Sequence, residues 1–173
     1  MVDLLESPAE MLAWLVAAGL VSKEELRGLK GMTTAAELGM LRSARAFRRS
    51  LREAVDAIVE RNPVPARVIA QVNRILAGRR VLTRLEKMDR RLRLVTRREL
   101  RSAEDLLVPL AEAASDLFCN ADFSYIRKCE NPRCILYFYD VSKNHARRWC
   151  SMEGCGSQSK ARAYYRRKAR VSR

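Results

Sequence analysis

Four of the five cysteines form two pairs with the same internal spacing. Cys129 and Cys134 enclose four residues, and so do Cys150 and Cys155, with fifteen residues between the pairs. Thiolates at this kind of spacing are typical ligands of a closed tetrahedral zinc site, in which each short loop spans one edge of the tetrahedron. The spacing therefore predicts one structural zinc ion held by four thiolates.

Two alternatives to this ligand set remain open from the residues alone. One is four structural thiols without a metal, and the other replaces one ligand by His145 or Cys119. His145 is the only histidine, and its basic neighbours favour a solvated loop position. Cys119 falls on the apolar face of a predicted helix, which favours burial. A site of four thiolates has no open coordination position, and the sequence carries no GxSxG or P-loop motif, so we do not expect an enzyme.

The net charge points to a polyanionic partner. The chain has 34 Lys+Arg against 20 Asp+Glu, a formal net charge of +14, and residues 127–173 alone hold 13 basic and 3 acidic residues. Such an excess favours nucleic acid. The alternatives are a solvated helix face and, for the first two residues below, compensation of the negative zinc site. The predicted nucleic-acid contacts are Arg147, Arg148, Lys160, Arg162, Tyr164, Arg166, Arg167 and Lys168.

Three classes of partner fit this pattern. Double-stranded DNA is the leading one, RNA stacked on the neighbouring tyrosines is the second, and a protein bound on a zinc scaffold is the third. A membrane-embedded protein is excluded, since no run of about 18 uncharged apolar residues exists. The acidic start of the chain is unlike a signal peptide, so we expect a cytoplasmic protein, associated with the nucleoid if bacterial. Disulfides are not expected in that reducing compartment.

The first part of the chain carries strong helix signals. Capping-box patterns begin at Ser7, Ser22 and Thr34, and a long apolar stripe follows the third until Pro63. A helix is predicted over 66–77, and another from Ser102, which Pro109 kinks or restarts. Alternating residues over 91–97 predict a strand, with 81–85 as its hairpin partner. These elements predict a mainly α domain over residues 1–126 with a small β-hairpin.

The cysteine-rich part predicts a second, smaller domain over residues 127–173. The β-prone run 135–139 follows the first cysteine pair, so the segment between the pairs is expected to form a short hairpin. A helix is predicted over 159–170. Trp149 is expected to pack over the zinc site, and the side chains of Ala161 and Tyr165 are expected to turn inward toward the zinc. A short hairpin followed by a helix predicts a treble-clef-like module.

This second domain resembles the CGNR zinc finger family. The resemblance covers residues 127–170 and rests on the first Cys-x4-Cys, a strand ending in Asp140, a basic loop, and the run 149–156, WCSMEGCG. In that family the finger follows an N-terminal ABATE domain associated with stress-induced transcription regulation, and residues 1–126 are similar to it in pattern. The resemblance implies a DNA-binding transcriptional regulator, with an N-terminal domain that senses a small-molecule effector or forms a homodimer.

The sequence departs from the family pattern at two points. Ser157 and Gln158 stand where the signature has Asn and Arg, so if that Arg contacts phosphate, one contact is lost here. The Asp-x-x-Asn-Thr type motif, usual in the first strand of the ABATE domain, is not found. Any ligand pocket that such a strand would form is therefore not predicted for this chain.

Overall fold

The computed structural model describes residues 5–29 and 31–171, with side chains up to residue 168. Its internal contacts divide the chain into two compact units, Met1–Glu53 with Pro65–Ala121 and Ala54–Val64 with Asp122–Arg173. Helices dominate, and the described residues form two small antiparallel hairpins. This confirms the predicted fold class. The limit predicted between residues 126 and 127 stays a prediction from the sequence.

The first three helices of the chain begin after residues that cap them. Ser7 and Ser22 both form complete capping boxes, with Glu10 and Glu25 respectively, which confirms the first two predicted starts. The third start was predicted one residue late, because the Thr33 hydroxyl accepts the hydrogen bond from the Ala36 amide. The helices are α1 (Pro8–Ala17), α2 (Lys23–Arg27), α3 (Thr34–Val59), α4 (Ala66–Leu76), a 3-10 helix (Ala103–Leu107) and α5 (Val108–Asn120).

The core of the first unit forms where these helices meet. Met11 and Leu15 of α1, Met40 of α3 and Leu106 of the 3-10 helix are completely buried. Burial of each such side chain contributes roughly 1.5–3 kcal/mol. Pro109 lies in the first turn of α5, where backbone amides have no partner within the helix. The amide hydrogen that proline lacks is therefore not missed, and Pro109 restarts the helix rather than kinking it.

A hairpin of two long strands, β1 (Val81–Met88) and β2 (Arg91–Arg98), separates the helices of the first unit along the chain. The strands pair antiparallel, with Thr83 opposite Thr96 and their hydroxyl oxygens 3.2 Å apart. Asp89 turns the chain with a left-handed φ of 54°, a conformation that Asp and Asn tolerate better than most residues. The predicted hairpin is confirmed, and both strands are longer than expected.

The second unit combines the last six residues of α3 and the residues after it with the cysteine-rich segment. Its elements are a 3-10 helix (Phe123–Tyr125), β3 (Ile126–Lys128), β4 (Tyr137–Tyr139), a π-helical turn (Met152–Gly156) and α6 (Ser157–Val171). The Tyr137 hydroxyl donates to the Asp56 carboxylate from α3. Across the described part of the chain, no helix has both the length and the apolarity to cross a bilayer.

Candidate metal centre

The first cysteine pair lies at the tip of the β3–β4 hairpin. Cys129 follows β3 directly, and its amide donates to the Leu136 carbonyl at 3.0 Å, which extends the ladder. The expected hairpin between the cysteine pairs was therefore misplaced. The strand after the first pair turns back on the residues before it, because the four-residue loop is itself the hairpin turn.

Asn131 shapes that loop. This side chain is only 2% exposed, and its amide oxygen accepts from the Arg133 amide at 3.2 Å. Such a bond from Asn to the residue two positions on is a local turn device, and Pro132 between them fixes φ. The Asn131 carbonyl then accepts from the Cys134 amide at 2.8 Å, which closes the loop around the thiols.

The second cysteine pair lies at the π-helical turn that leads into α6, with Cys150 before the turn and Cys155 within it. Ser151 caps this turn, with its hydroxyl accepting from the Gly154 amide at 3.1 Å. The Gly156 amide donates to the Ser151 carbonyl at 2.9 Å. Cys155, inside the turn, is thereby brought back to Cys150 just before it.

The four sulfur atoms have the spacing that a zinc ion requires. All lie within 4.8 Å of one another, and the Cys150 Sγ is 3.7 Å from the Sγ atoms of both Cys134 and Cys155. Zinc–sulfur bonds of about 2.3 Å in a tetrahedron place the sulfurs about 3.8 Å apart. No disulfide joins the five cysteines. The donor set Cys129, Cys134, Cys150 and Cys155 therefore fits a tetrahedral, sulfur-only zinc site.

The surroundings of the thiols favour one negative charge and oppose several. Burial tends to raise the pKa of Cys129, but the amides of Cys150 and Asn131 and the neighbouring thiols lower it to about 7. Burial and the adjacent cysteines raise the pKa of Cys150 to about 12, and burial also raises that of Cys134. A divalent cation offsets the repulsion between neighbouring thiolates, since cysteine thiols lose their protons when they bind a metal.

A buried carboxylate organises the long loop between the two cysteine pairs. Asp140 is completely buried and accepts hydrogen bonds from the Ser142 amide at 3.0 Å and the Arg147 amide at 2.9 Å. Burial tends to raise its pKa, but these bonds and nearby Arg127 lower it, so the carboxylate is ionised. From its sequence context Asp140 is predicted only as the end of a strand. The spacing Asp-x-Ser, a common local turn pattern, was the signal available for its role.

The two alternative ligands stand elsewhere. The His145 Nδ1 is 2.9 Å from the Asp140 carbonyl oxygen, and the ring stacks on Tyr125 at 3.7 Å between centroids. The prediction of a solvated loop histidine was therefore wrong, because the stacking and the hydrogen bond hold the ring half-buried. Cys119 is exposed, so its predicted burial was also wrong. It lies in the last turn of α5, past the part of the apolar face that the core covers.

The predicted nucleic-acid residues fall into two structural groups. Three of them bond to residues in or beside the two cysteine pairs. The Arg147 guanidinium donates to the carbonyls of Trp149 and Cys150. Arg148 forms an ion pair with Glu130 at 2.6 Å, and Arg162 donates to the Asn131 amide oxygen at 2.9 Å. The other five are exposed on α6 and are Lys160, Tyr164, Arg166, Arg167 and Lys168.

The packing expected around the zinc site is found only in part. Trp149 is half-buried beside Gly156, where a Cβ would come 3.3 Å from its ring. Tyr165 is 69% exposed and Ala161 is exposed, so the prediction that both turn inward was wrong. The side chains of α6 that contact the first cysteine loop are instead Gln158 and Arg162, through Asn131.

Gln158 shows what happens at the departure from the family signature. Its amide oxygen accepts from the Arg162 guanidinium at 3.4 Å and lies 3.5 Å from the Asn131 amide nitrogen. Position 158 is thus used for an internal contact that joins α6 to the first cysteine loop.

The first unit contains a separate cleft of about 980 Å³ beneath the β1–β2 hairpin. Arg98 lies in its wall and is ion-paired with Glu25 at 3.2 Å and Glu112 at 2.6 Å. Arg79 pairs with the same Glu112 carboxylate at 2.6 Å. The charges in this wall therefore neutralise one another.

Comparison with known families agrees with the two-part organisation. Residues 125–168 match the CGNR zinc finger. Residues 1–121 match the ABATE family, described as "Putative stress-induced transcription regulator". No curated protein matches the chain. Both parts of the resemblance inferred from the sequence are confirmed, including the N-terminal part, where the sequence pattern was least distinctive.

Proposed function

The chain belongs to the ABATE family described as "Putative stress-induced transcription regulator" and carries a CGNR zinc finger, and from this premise we propose that it is a regulator that binds duplex DNA through α6. One zinc ion, held by the four clustered thiolates, stiffens the module that carries this helix. The proposed contacts are electrostatic, made by lysine and arginine with phosphate.

The observation that carries this proposal is the surface of α6. Its sequence, SQSKARAYYRRKARV, contains six basic residues and no acidic one. Every side chain from residue 163 to 168 is exposed. The like charges along this helix repel one another, and a bound polyanion relieves that repulsion. The phosphates of a nucleic acid supply the negative charge.

The zinc site supplies a fixed base for this helix. Cys155 lies two residues before Ser157, the first residue of α6, and the Arg162–Asn131 hydrogen bond attaches the helix to the first cysteine loop. Folding energy for so small a unit comes largely from the metal, as in other zinc modules. Four thiolates occupy every position of a tetrahedral zinc ion, so we propose a structural role and no enzymatic activity at this centre.

The exposed tyrosines of α6 keep RNA as the second candidate. Tyr164 and Tyr165 are 57% and 69% exposed, and their rings meet edge to face at 5.6 Å. Aromatic side chains on a basic surface stack with unpaired bases. The basic charge of α6 acts on any phosphate backbone and does not by itself separate DNA from RNA. The family description concerns transcription, and this is the reason for preferring duplex DNA.

The test is a salt titration of DNA binding by the zinc-loaded chain. The logarithm of affinity should fall linearly with the logarithm of salt concentration, with a slope of about −0.9 per phosphate contact. Arg166→Gln combined with Arg167→Gln should reduce that slope by about 2 units. Arg133→Gln with Lys143→Gln removes the same charge from exposed positions of the same unit and serves as the matched control.

Three results would decide between the candidates. A salt-independent affinity, or equal effects of the two double variants, contradicts the proposed contact. Stronger competition by structured RNA than by duplex DNA selects the RNA alternative. Binding of a protein partner that survives the Arg166/Arg167 change, together with no nucleic-acid affinity in the unchanged chain, selects a protein-interaction module.

A further inference from the structure

The β1–β2 hairpin of the first unit has two chemically different faces. Residues directly opposite one another in the register share a face, and faces alternate along each strand. One face holds Leu85 opposite Leu94, with Leu92 beside them. The other face, which we name the arginine face, holds Arg84, Arg91, Arg93 and Arg97 together with Leu82, Glu86, Met88 and Val95.

The positive charge of the first part of the chain is concentrated in this hairpin. Residues 81–98 contain seven basic and two acidic side chains, a net charge of +5, whereas residues 1–126 as a whole carry a net charge of +4. Outside the hairpin, acidic and basic residues of this part therefore nearly balance.

Most of the arginine face has no internal partner. Arg97 pairs with Glu86 at 2.9 Å. Arg84, Arg91 and Arg93 are exposed, and among the residues that the structure describes none of them forms an ion pair or a side-chain hydrogen bond. Glu86, already engaged by Arg97, is the only acidic residue on this face. Arg84 lines the cleft described above, whose wall also holds glutamates, and Arg93 lies directly opposite Glu86 in the register. With four arginines against one glutamate, the face nevertheless carries a net positive charge of its own.

The spacing of these three arginines is that of a compact cationic surface. Arg91 and Arg93 are two residues apart on β2, which places their Cα atoms about 6.6 Å apart. Arg84 faces Val95, so it is the diagonal neighbour of Arg93, at about 7–8 Å. Guanidinium groups bind phosphate in bidentate fashion and do so better than ammonium groups.

We propose that the arginine face is a second contact with duplex DNA, made by the first unit on the phosphate backbone. The choice of DNA as ligand rests on the proposed function, whereas the location of the contact rests on the hairpin alone. A two-stranded ribbon also fits the major groove, which is about 12 Å wide. Two contacts on one polymer raise the overall affinity beyond that of either contact alone.

The experiment compares charge-neutralised variants of the full, zinc-loaded chain on a short duplex DNA. The hairpin variant combines Arg84→Gln, Arg91→Gln and Arg93→Gln. Its matched control combines Arg42→Gln, Arg49→Gln and Arg74→Gln, which removes the same charge from exposed helical positions of the same unit. The salt slope of the hairpin variant should fall by up to about 2.7, at 0.9 per lost contact, and that of the control should stay close to the unchanged chain.

A second variant separates charge from hairpin structure. Replacing the same three arginines by lysine keeps the charge, so most of the salt slope should return even if bidentate geometry is lost. Circular dichroism and thermal unfolding identify any variant in which the hairpin itself is damaged. Loss of DNA binding in the lysine variant with an intact fold contradicts an electrostatic contact.

The outcomes distinguish this inference from the proposed function. If the hairpin variant matches its control while Arg166→Gln/Arg167→Gln weakens binding, the hairpin contact is overturned and the α6 contact stands. If only the hairpin variant weakens binding, the inference stands and the assignment to α6 fails. If the hairpin variant loses only its affinity for vesicles containing phosphatidylglycerol and DNA binding is unchanged, the face is a membrane contact and the inference is overturned.

Discussion

Gly156 is the residue at which the zinc module has least room. A Cβ at this position would lie 2.7 Å from the Met152 Sδ and 3.3 Å from the Trp149 ring. The methionine side chain is 56% exposed and can swing away, but the indole ring beside the second cysteine pair must shift. The glycine that follows the last ligand is therefore required by packing rather than by a left-handed backbone.

We expect Gly156→Ala to destabilise the zinc-loaded module by about 1 kcal/mol or slightly more, since overpacking typically costs 1–3 kcal/mol. Gly154→Ala is the control in the same turn, because its Cβ would meet nothing closer than 3.7 Å. Unfolding of both variants can be followed by Trp149 fluorescence in a Trp14→Phe background. Equal midpoints for the two alanine variants would show that the indole is not held against Gly156.

Single residues divide sharply into those that the sequence reveals and those that it does not. The cysteine ligands could be predicted because their spacing reflects one local geometry repeated twice. The roles of Asp140 and His145 could not, because each depends on backbone groups brought close only when the loop folds. Asn131 is intermediate, since its turn with Pro132 is local but its bond to Arg162 is not.

At the scale of elements, ion pairs hold the first unit together between β2, α2 and α5. Arg98 donates to the Leu20 carbonyl, to Glu25 and to Glu112, and Arg79 donates to the second oxygen of Glu112. Burial tends to raise the pKa of Glu112, but both arginines lower it. The ionised carboxylate is therefore more favourable in the folded state than in the unfolded chain.

We expect Glu112→Gln to lower the free energy of unfolding of the first unit by about 1–2 kcal/mol at pH 7. Because the folded pKa lies below the unfolded value, this contribution is complete above about pH 4.5 and disappears as pH falls through the folded pKa. Urea unfolding at pH 7 and pH 4, followed by Trp14 in a Trp149→Phe background, measures it. Glu104→Gln, at an exposed position, is the control. A difference between the two variants that does not shrink in acid contradicts this explanation.

Elements were predictable where their signals are local. Two serine caps, the β1–β2 turn and the restart at Pro109 all depend on residues within four positions of one another. The β3–β4 pairing was misplaced because its first strand, Ile126–Lys128, has only three residues and carries no periodic signal. The outward direction of Tyr165 was also missed, since helical spacing alone does not show how far along α6 the contacts extend.

At the scale of the whole molecule, the two units differ in what stabilises them. The first has a contiguous apolar core formed by α1, α3 and the 3-10 helix. The second has few buried apolar side chains, among them Ile58, Ile126 and Cys129, and its interior also holds the buried polar residues Asp140 and Asn131. Metal binding to a cluster of this kind contributes on the order of 10 kcal/mol, more than so small a core can supply.

Removal of zinc should therefore unfold the second unit and leave the first folded. With a strong chelator and a thiol reductant present, the emission wavelength of Trp149 should shift to that of a solvent-exposed indole, and the second unit should become protease-sensitive. The emission of Trp14 should stay unchanged. Cys150→Ser should reproduce this state without chelator, with bound zinc falling from one ion per chain to near zero. Cys119→Ser, at the exposed cysteine, should leave zinc content and both signals unchanged. A reduced, metal-free chain whose last 45 or so residues resist protease as well as the zinc-loaded one would contradict the dependence of this unit on the metal.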